Sequence, residues 1–411
     1  MTIREVIKAL ALGGTALARF LVIGSELTFP PSSKIKTEDR HFTYGSVSDK
    51  MIRHRSYSFL TLSAAVLTFL IGGIASLGSL PVPGHSPETL DPPAHLRETG
   101  LYANFASKTI DPRNLSYSPQ YPLWSDGAAK RRWIFLPAET SIDASDPDVW
   151  EFPAGTKVWK EFSFHGRRVE TRLIASLGGG EWMFASYAWD ADESDATLVP
   201  KQGLRNVAEI QPGLRHDIPG VLDCKACHVN RRTEILGFSA LQLSPDRDPN
   251  APHAERTSSD MVSLQTLIER GLIRSYPRSW AQHPIRIEAS NPTARAALGY
   301  LHANCGNCHN PNGALETLNM FWRHSVAENT PSGTAVTMAI NRTGRFRIPG
   351  EEPGDTYLIR PGDPAHSAVL FRMSSRNPFH QMPPLGTKLA DADAVSLIRR
   401  WILEYQKEER P

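Results

Sequence analysis

The sequence predicts an α+β multidomain protein: an N-terminal β-rich sandwich or small barrel, followed by mainly α-helical domains. Three observations carry this reading. Runs rich in aromatic and β-branched residues recur between residues 99 and 215, the composition of a pleated, half-buried surface. After residue 216 the apolar residues change to helical spacing. The only internal duplication is a five-residue pattern, CKACH at 224–228 and CGNCH at 305–309, and it uses all four cysteines of the chain.

The β-rich part rests on four runs: KRRWIFLP at 130–137, KVWKEFSF at 157–164, RRVETRLIAS at 167–176 and EWMFASYAW at 181–189. Phe162 and Phe164 alternate with polar positions, as do Val169, Thr171 and Leu173, which is strand periodicity. His165-Gly166 reads as a hairpin turn, because glycine supplies a positive φ, and the triple glycine at 178–180 marks the next turn. Trp133, Trp159, Trp182 and Trp189 are expected in or near the core.

Three segments carry the helical part. TSSDMVSLQTLIERGLI (257–273) places Met261, Leu264, Leu267, Ile268 and Leu272 on one face, with Ser258 or Ser259 as cap and Gly271 near the end. NPTARAALGYLHANC (291–305) opens with Asn291 as cap and Pro292 at the first helical position. DADAVSLIRRWILEY (391–405) gives an amphipathic stripe of Leu397, Ile398, Trp401, Ile402 and Tyr405. These segments divide the chain at 216–290 and 291–411.

The N-terminal segments differ from the rest. Residues 51–79 contain a basic start, the apolar run FLTLSAAVLTFLIGGIA at 59–75 and a small-residue exit, the layout of a signal peptide. Fifty residues precede it, so 1–50 read as an over-extended start, with a membrane anchor at 59–75 as the alternative. Residues 80–98 hold five prolines and read as a linker. Either account places the folded part in the periplasm or on the extracytoplasmic face of the inner membrane. With 40% apolar and 21% charged residues and a net charge of +2, nothing argues for a nucleic-acid partner.

Extracytoplasmic thiols must be disulfides, metal ligands or thioether links. A four-thiolate zinc site normally spaces its pairs by about 15–20 residues, but 77 residues separate Cys227 from Cys305. A thioredoxin-like centre would need a βαβ context that neither pair has. The histidines decide. With 14 histidines in 411 positions, one after each pair arises by chance at roughly one in a thousand, and CxxCH is the c-type haem attachment pattern. Cys224 with Cys227 and Cys305 with Cys308 would each form two thioethers to a haem, with His228 and His309 as the proximal iron ligands. Two covalently attached haem c groups are the expected cofactors.

A six-coordinate haem needs a further axial ligand, usually Met or His. For the second haem, QMPPLGT (381–387) presents Met382 from a loop stiffened by two prolines; Met373, in a helix-like run, reads as core. For the first haem Met261 ranks first, with His216, His253, His283 and Met183 as further candidates. Arg231, Arg232, Arg345 and Arg347 are candidate propionate partners, though a solvated role suits each of them. The acidic run at 190–195 lacks an EF-hand pattern and reads as a turn.

The order helix, CxxCH, Met-Pro-Pro loop and terminal helix over 291–405 resembles a class I cytochrome c domain. That resemblance implies that Ala297 and Leu301 meet Leu397 and Trp401 where the first and last helices cross. More widely, YPLWSDGAAKRRWIFLP (121–137), VETRLIAS (169–176), CKACH with LGFSALQLS (236–244), ALGYLHANCGNCHN (297–310), PGDPAHSAVLFRM (361–373) and QMPPLG (381–386) resemble a family of uncharacterised bacterial di-haem c-type cytochromes. The likeness covers roughly residues 98–405 and implies electron transfer between redox partner proteins, with no defined substrate. No catalytic residues are expected. Two other readings stay open: a di-haem peroxidase-like enzyme with an open distal position at the first haem, and a cytochrome subunit serving a dehydrogenase through the β-rich domain.

Overall fold

The computed structural model describes residues 91–229, 234–281, 285–313, 315–327 and 338–408. The segments 1–50 and 51–79, most of the linker, and Arg231, Arg232 and His283 lie outside the described residues. Among the described residues no helix is long and apolar enough to cross a membrane.

The centre of the β-rich part is a six-stranded antiparallel sheet. Its order is β10 (Ala196–Leu198), β9 (Glu181–Trp189), β8 (Arg167–Gly178), β7 (Lys157–Phe164), β4 (Ala129–Phe135) and β3 (Leu115–Ser116). All four runs expected as strands are present. The turn between β7 and β8 has His165 at φ 51° and Gly166 at φ 79°, the positive-φ pair of a two-residue hairpin. The sheet is open, with β3 and β10 as its edges, and is not a closed barrel. Beside it lie β1 (Tyr102–Asn104) with β2 (Thr109–Ile110), the hairpin of β11 (Leu204–Gln211) and β12 (Leu214–Ile218), and a small sheet of β5 (Ile142–Asp146), β6 (Val149–Glu151) and β13 (Ile273–Arg274). In that small sheet Ile273 pairs in parallel with Ile142, so chain from both sides of residue 216 builds one sheet.

Alternation gives the central sheet two different faces. One carries the directly paired row Trp133, Trp159, Leu173, Ala185, buried under Leu96, Leu101 and Tyr102. The other carries Ile134, Val158, Ile174 and Phe184 and, one step along, Arg132, Lys160, Arg172 and Ser186. Ile134 and Val158 pack with Phe238, Leu243, Leu264 and Leu267 from the later chain. Trp133, Trp159 and Trp189 are buried and Trp182 is half-buried against that second cluster, as their aromatic strands suggested.

Five helices follow: α1 (Val221–His228), α2 (Leu264–Glu269), α3 (Pro292–Asn304), α4 (Ala368–Ser374) and α5 (Ala392–Glu408), with a single turn at Arg278–Ala281. The helix expected over 257–273 is much shorter. Ser263 takes the cap: its hydroxyl accepts from the Thr266 amide at 3.3 Å, and its own amide donates to the Thr266 hydroxyl at 2.7 Å, a reciprocal arrangement that outcompetes Ser258 and Ser259. Gly271, at φ 65°, ends the segment. By contrast α3 begins as expected, with the Asn291 side chain accepting from the Ala294 amide at 2.8 Å and Pro292 in the first turn.

Helices α3 and α5 pack together, and Ala297, Leu301, Leu397 and Trp401 share one buried cluster. Tyr121, from the start of the β-rich part, lies against Gly299 where any Cβ would collide with its ring. The C-terminal part is nevertheless not mainly helical. Between Cys305 and Asp391 the described chain is irregular apart from a 3-10 turn at Glu316–Leu318 and α4. Prolines at 349, 353, 361, 364, 378, 383 and 384 remove backbone donors from this stretch. Replacing Trp401 with Ala should destabilise the chain by about 3–5 kcal/mol, read as a lower urea midpoint at unchanged slope; a loss under about 1 kcal/mol would mean that the α3–α5 contact is not a principal core.

Candidate cofactor site

The first motif is helical because Gly220 permits the turn into α1. A Cβ there would strike the Lys201 carbonyl, and the Gly220 amide donates to Asp223 Oδ2 at 3.1 Å. Helix α1 lies against β9 and buries none of its residues fully. Burial pushes the Cys224 thiol upward, partly offset by Arg172, and its sulfur lies beside Ser186. His228 stands near the Phe184 ring, centroids 5.7 Å apart. Its Nδ1 lies 2.5 Å from the Glu234 carbonyl oxygen. A carbonyl can only accept, so Nδ1 carries the proton and Nε2 keeps its lone pair. This arrangement prepares a histidine to bind a metal through Nε2.

The second motif forms tight turns at the end of α3. The amides of Cys308 and His309 donate to the Cys305 carbonyl at 3.1 and 2.9 Å. Gly306 is required by space, since a Cβ would lie 2.6 Å from the His302 oxygen and 3.0 Å from the Arg323 backbone. Asn310 braces the turn from its side-chain amide, donating to the Gly306 and Asn307 carbonyls at 3.0 Å each. Burial and then Cys308 push the Cys305 thiol up to about 12. His309 is buried, with its carbonyl accepting from the Trp322 amide at 2.8 Å.

Both motifs open onto one cavity of about 910 Å³, near the top of the range of about 300–1,000 Å³ for ligand sites. Cys224, Cys227 and His228 line it from α1, and Asn307, Cys308 and Leu385 line it from the C-terminal part. Cys305 and Met382 meet instead in a narrow gap of about 10 Å³ with Met373 and Tyr300, room for roughly one water. Trp124, Asn304, Arg376 and Pro383 border both spaces. Trp124 is fixed there, donating from its backbone to Asn304 Oδ1 at 2.7 Å and from its indole to the Leu389 carbonyl at 3.1 Å. Arg376 clasps the Met-Pro-Pro loop, donating to the Met373 carbonyl at 2.7 Å, the Met382 carbonyl at 3.3 Å and the Thr387 hydroxyl at 3.0 Å. Met382 is thus half-buried in a loop beside Cys305, whereas Met373 is buried in the core on α4. His309 lines neither space.

The candidates for the first haem's further ligand fare differently from Met382. Met261 lies in a bend ahead of α2, because the next residue, Val262, donates its amide to the Ser116 carbonyl of β3 at 2.8 Å. It does not line the large cavity. Met183 belongs to the opposite face of the sheet, with Trp133 and Trp159. His253 lies against Trp124, its ring tilted by 39°, and bonds Asp391 Oδ1 at 2.8 Å. Arg345 and Arg347 are exposed, as a solvated role requires. Among the described residues, the histidines and lysines that do line the cavity are His228, His302, Lys160 and Lys388. His302 is held neutral, pushed down to about 3 by burial and by Arg323, and its Nδ1 accepts from the His324 amide at 3.0 Å.

His216 is structural. Its Nδ1 is 3.2 Å from Asp126 Oδ2 and its Nε2 is 3.1 Å from Glu170 Oε1, so both nitrogens donate to carboxylates. Burial opposes the charge, but the two acids carry the His216 pKa above its ordinary value. Burial likewise opposes ionisation of Glu170, yet Arg172 and His216 hold it down at about 2. Asp126 also accepts from the Lys388 and Leu389 amides at 2.7 and 2.9 Å. The chain after the Met-Pro-Pro loop is therefore tied through His216 to the sheet beside Cys224. Sequence reading did not find this network or the cations Arg132, Lys160 and Arg172. The only available signal was that polar residues in the strands alternate opposite the tryptophans, and this pattern normally marks a solvated face.

Two rival chemistries for the cysteines lose support. Among the described residues no three His, Cys, Asp or Glu side chains converge to hold a metal ion, as a four-thiolate zinc site would require. The raised Cys224 and Cys305 thiols are the reverse of the lowered values of thiol redox centres. Compared with protein-family models, with curated proteins and with solved structures, the chain has no match.

The shifts at His216 and Glu170 set a pH window. A raised His216 stabilises fully below its ordinary value of 6.5 and loses that contribution as pH rises through the raised value. A lowered Glu170 stabilises above its ordinary 4.5 and loses that contribution as pH falls toward about 2. His216→Gln should therefore cost about 3–5 kcal/mol near pH 5.5 and less above pH 7, as measured by chemical unfolding. A cost that does not vary with pH would mean that His216 is buried neutral.

Proposed function

We propose that the chain is a periplasmic di-haem c-type cytochrome that passes electrons between redox partner proteins. The observation that supports this best is that CKACH and CGNCH, far apart in sequence, open onto one chamber that His228 lines with its Nδ1 fixed on the Glu234 carbonyl. Cys224 and Cys227 would hold one haem and Cys305 and Cys308 the other, with His228 and His309 as proximal ligands. A haem supplies an iron that exchanges one electron at a potential set by its ligands and surroundings.

The protein's part is to hold, enclose and tune these groups. The packed pair α3 and α5, with the Met-Pro-Pro loop between them in sequence, supports reading 291–408 as a cytochrome c-like domain whose connections are irregular. Met382, beside Cys305, would be the further ligand of the second haem; Met ligation raises the potential. Tyr121, Trp124 and the 383–385 segment wall the large chamber, and Trp124 and Pro383 also wall the gap beside Cys305; excluding water there would favour the less charged state.

A di-haem peroxidase-like enzyme is the second reading. It is favoured by the absence of Met261, Met183, His216 and His253 from the lining of the first chamber. Spin state separates the two readings: the carrier should have two low-spin ferric haems and no peroxide turnover, while one high-spin haem with turnover would establish the enzyme. Met382→Ala should abolish the methionine-to-iron charge-transfer band and lower one reduction equilibrium more than tenfold, about 59 mV per tenfold. An unchanged band would remove Met382 from the iron.

A further inference from the structure

The cavity face of the central sheet carries a row of cations with no matching row of anions. Arg132 of β4, Lys160 of β7 and Arg172 of β8 are directly paired neighbours, and the row ends at Ser186 of β9. Strands lie about 4.8 Å apart, and like charges placed directly opposite one another destabilise a sheet. All three cations line the large cavity.

Their partners are incomplete. Arg132 Nη1 pairs with Glu255 at 2.6 Å, but Nη2 of this buried side chain has no hydrogen-bond partner among the described residues. Arg172 pairs with Glu170 at 2.5 Å. Lys160, between them, has no carboxylate within ion-pair distance among the described residues; its Nζ stands 4.8 Å from the Phe162 ring centroid. Burial, followed by Arg132, Lys130 and Arg172, pushes its pKa well down. The acids in the cavity wall are engaged elsewhere. Asp217 accepts from Lys388 and Arg205, Asp126 from His216 and the 388–389 backbone, Asp148 from Ser325 and Val326, and Asp223 from the Gly220 amide.

We infer that Arg132, Lys160 and Arg172 form a carboxylate site whose ligands are the propionates of the haem held by Cys224 and Cys227. The inference rests on the haem reading above. Thioethers and propionates leave opposite edges of a haem. The row starts at Ser186, beside Cys224, with Arg172 next in the row and still near both cysteines, and Lys160 and Arg132 stand two and three strand spacings away, about 10 and 14 Å. An arginine fork suits a carboxylate, and Lys160 adds a point charge between two such forks. Two carboxylates would satisfy the open nitrogens and remove the repulsion along the row.

The test uses the full-length holoprotein with Lys160→Met, with Lys160→Gln as a replacement should that chain not accumulate, and Lys160→Arg as the charge-retaining control. Haem count, ferric spin state and the two midpoint potentials are read together. Both haems should remain and stay low-spin, while one reduction equilibrium falls about tenfold, roughly 59 mV, and Lys160→Arg restores it. In a Cys224→Ser/Cys227→Ser background, which leaves the row unmatched, Lys160→Met should instead stabilise the chain, and added acetate should stabilise the Lys160 parent. Unmoved midpoints would overturn the site. A change of spin state would also overturn it, by making Lys160 an iron ligand, and stabilisation of the intact holoprotein by acetate would show that the row serves a free anion. A parent chain with no haem would sink the haem reading itself, and this inference with it.

Discussion

The register of β4, β7, β8 and β9 governs the rest of the molecule. It sets Trp133, Trp159, Leu173 and Ala185 side by side under Leu96, Leu101 and Tyr102. On the other face it leaves Arg132, Lys160 and Arg172 along a wall that α1 and the C-terminal part enclose without filling. A slip of one residue would exchange the two sets, burying the cations under Leu96, Leu101 and Tyr102 and turning the tryptophans toward the cavity. This buried apolar row on one side holds the register, and so fixes where the charges of the other side must stand.

Polar contacts join the sheet to the later chain alongside the shared apolar clusters. Asp126, in a left-handed conformation at φ 53°, holds the backbone of residues 388–389 and, through His216, Glu170 and Arg172, the strand beside the first motif. Such a chain is stabilising only when every member is satisfied. It also couples the loop that carries Met382 to the wall beside Cys224, so changes in ionisation at one motif reach the supports of the other.

Much of this was legible in the sequence. The four long strands, the His165-Gly166 turn and the cap and first turn of α3 follow from periodicity, turn chemistry and capping, whereas the meeting of Ala297 and Leu301 with Leu397 and Trp401 was implied only by the resemblance to a class I cytochrome c domain. What was not legible depended on competition or on distance. Ser263 displaced Ser258 and Ser259 as the cap of α2, and Met261 left the helix with them. The short strands β5, β6 and β13 have too few residues to show a period. Arg132, Lys160 and Arg172 are separated by 28 and 12 positions in the chain, and only strand pairing brings them together. The common chamber of CKACH and CGNCH is likewise a tertiary fact that neither motif contains.

The central claim is that each CxxCH motif holds one haem. Mass spectrometry of the intact, denatured chain after expression with a c-type haem attachment system tests it most directly. The natural sequence should gain the mass of two haems, and Cys224→Ser/Cys227→Ser and Cys305→Ser/Cys308→Ser should each gain the mass of one. A natural chain that carries no covalent haem, or that keeps both haems when either pair is removed, would contradict it.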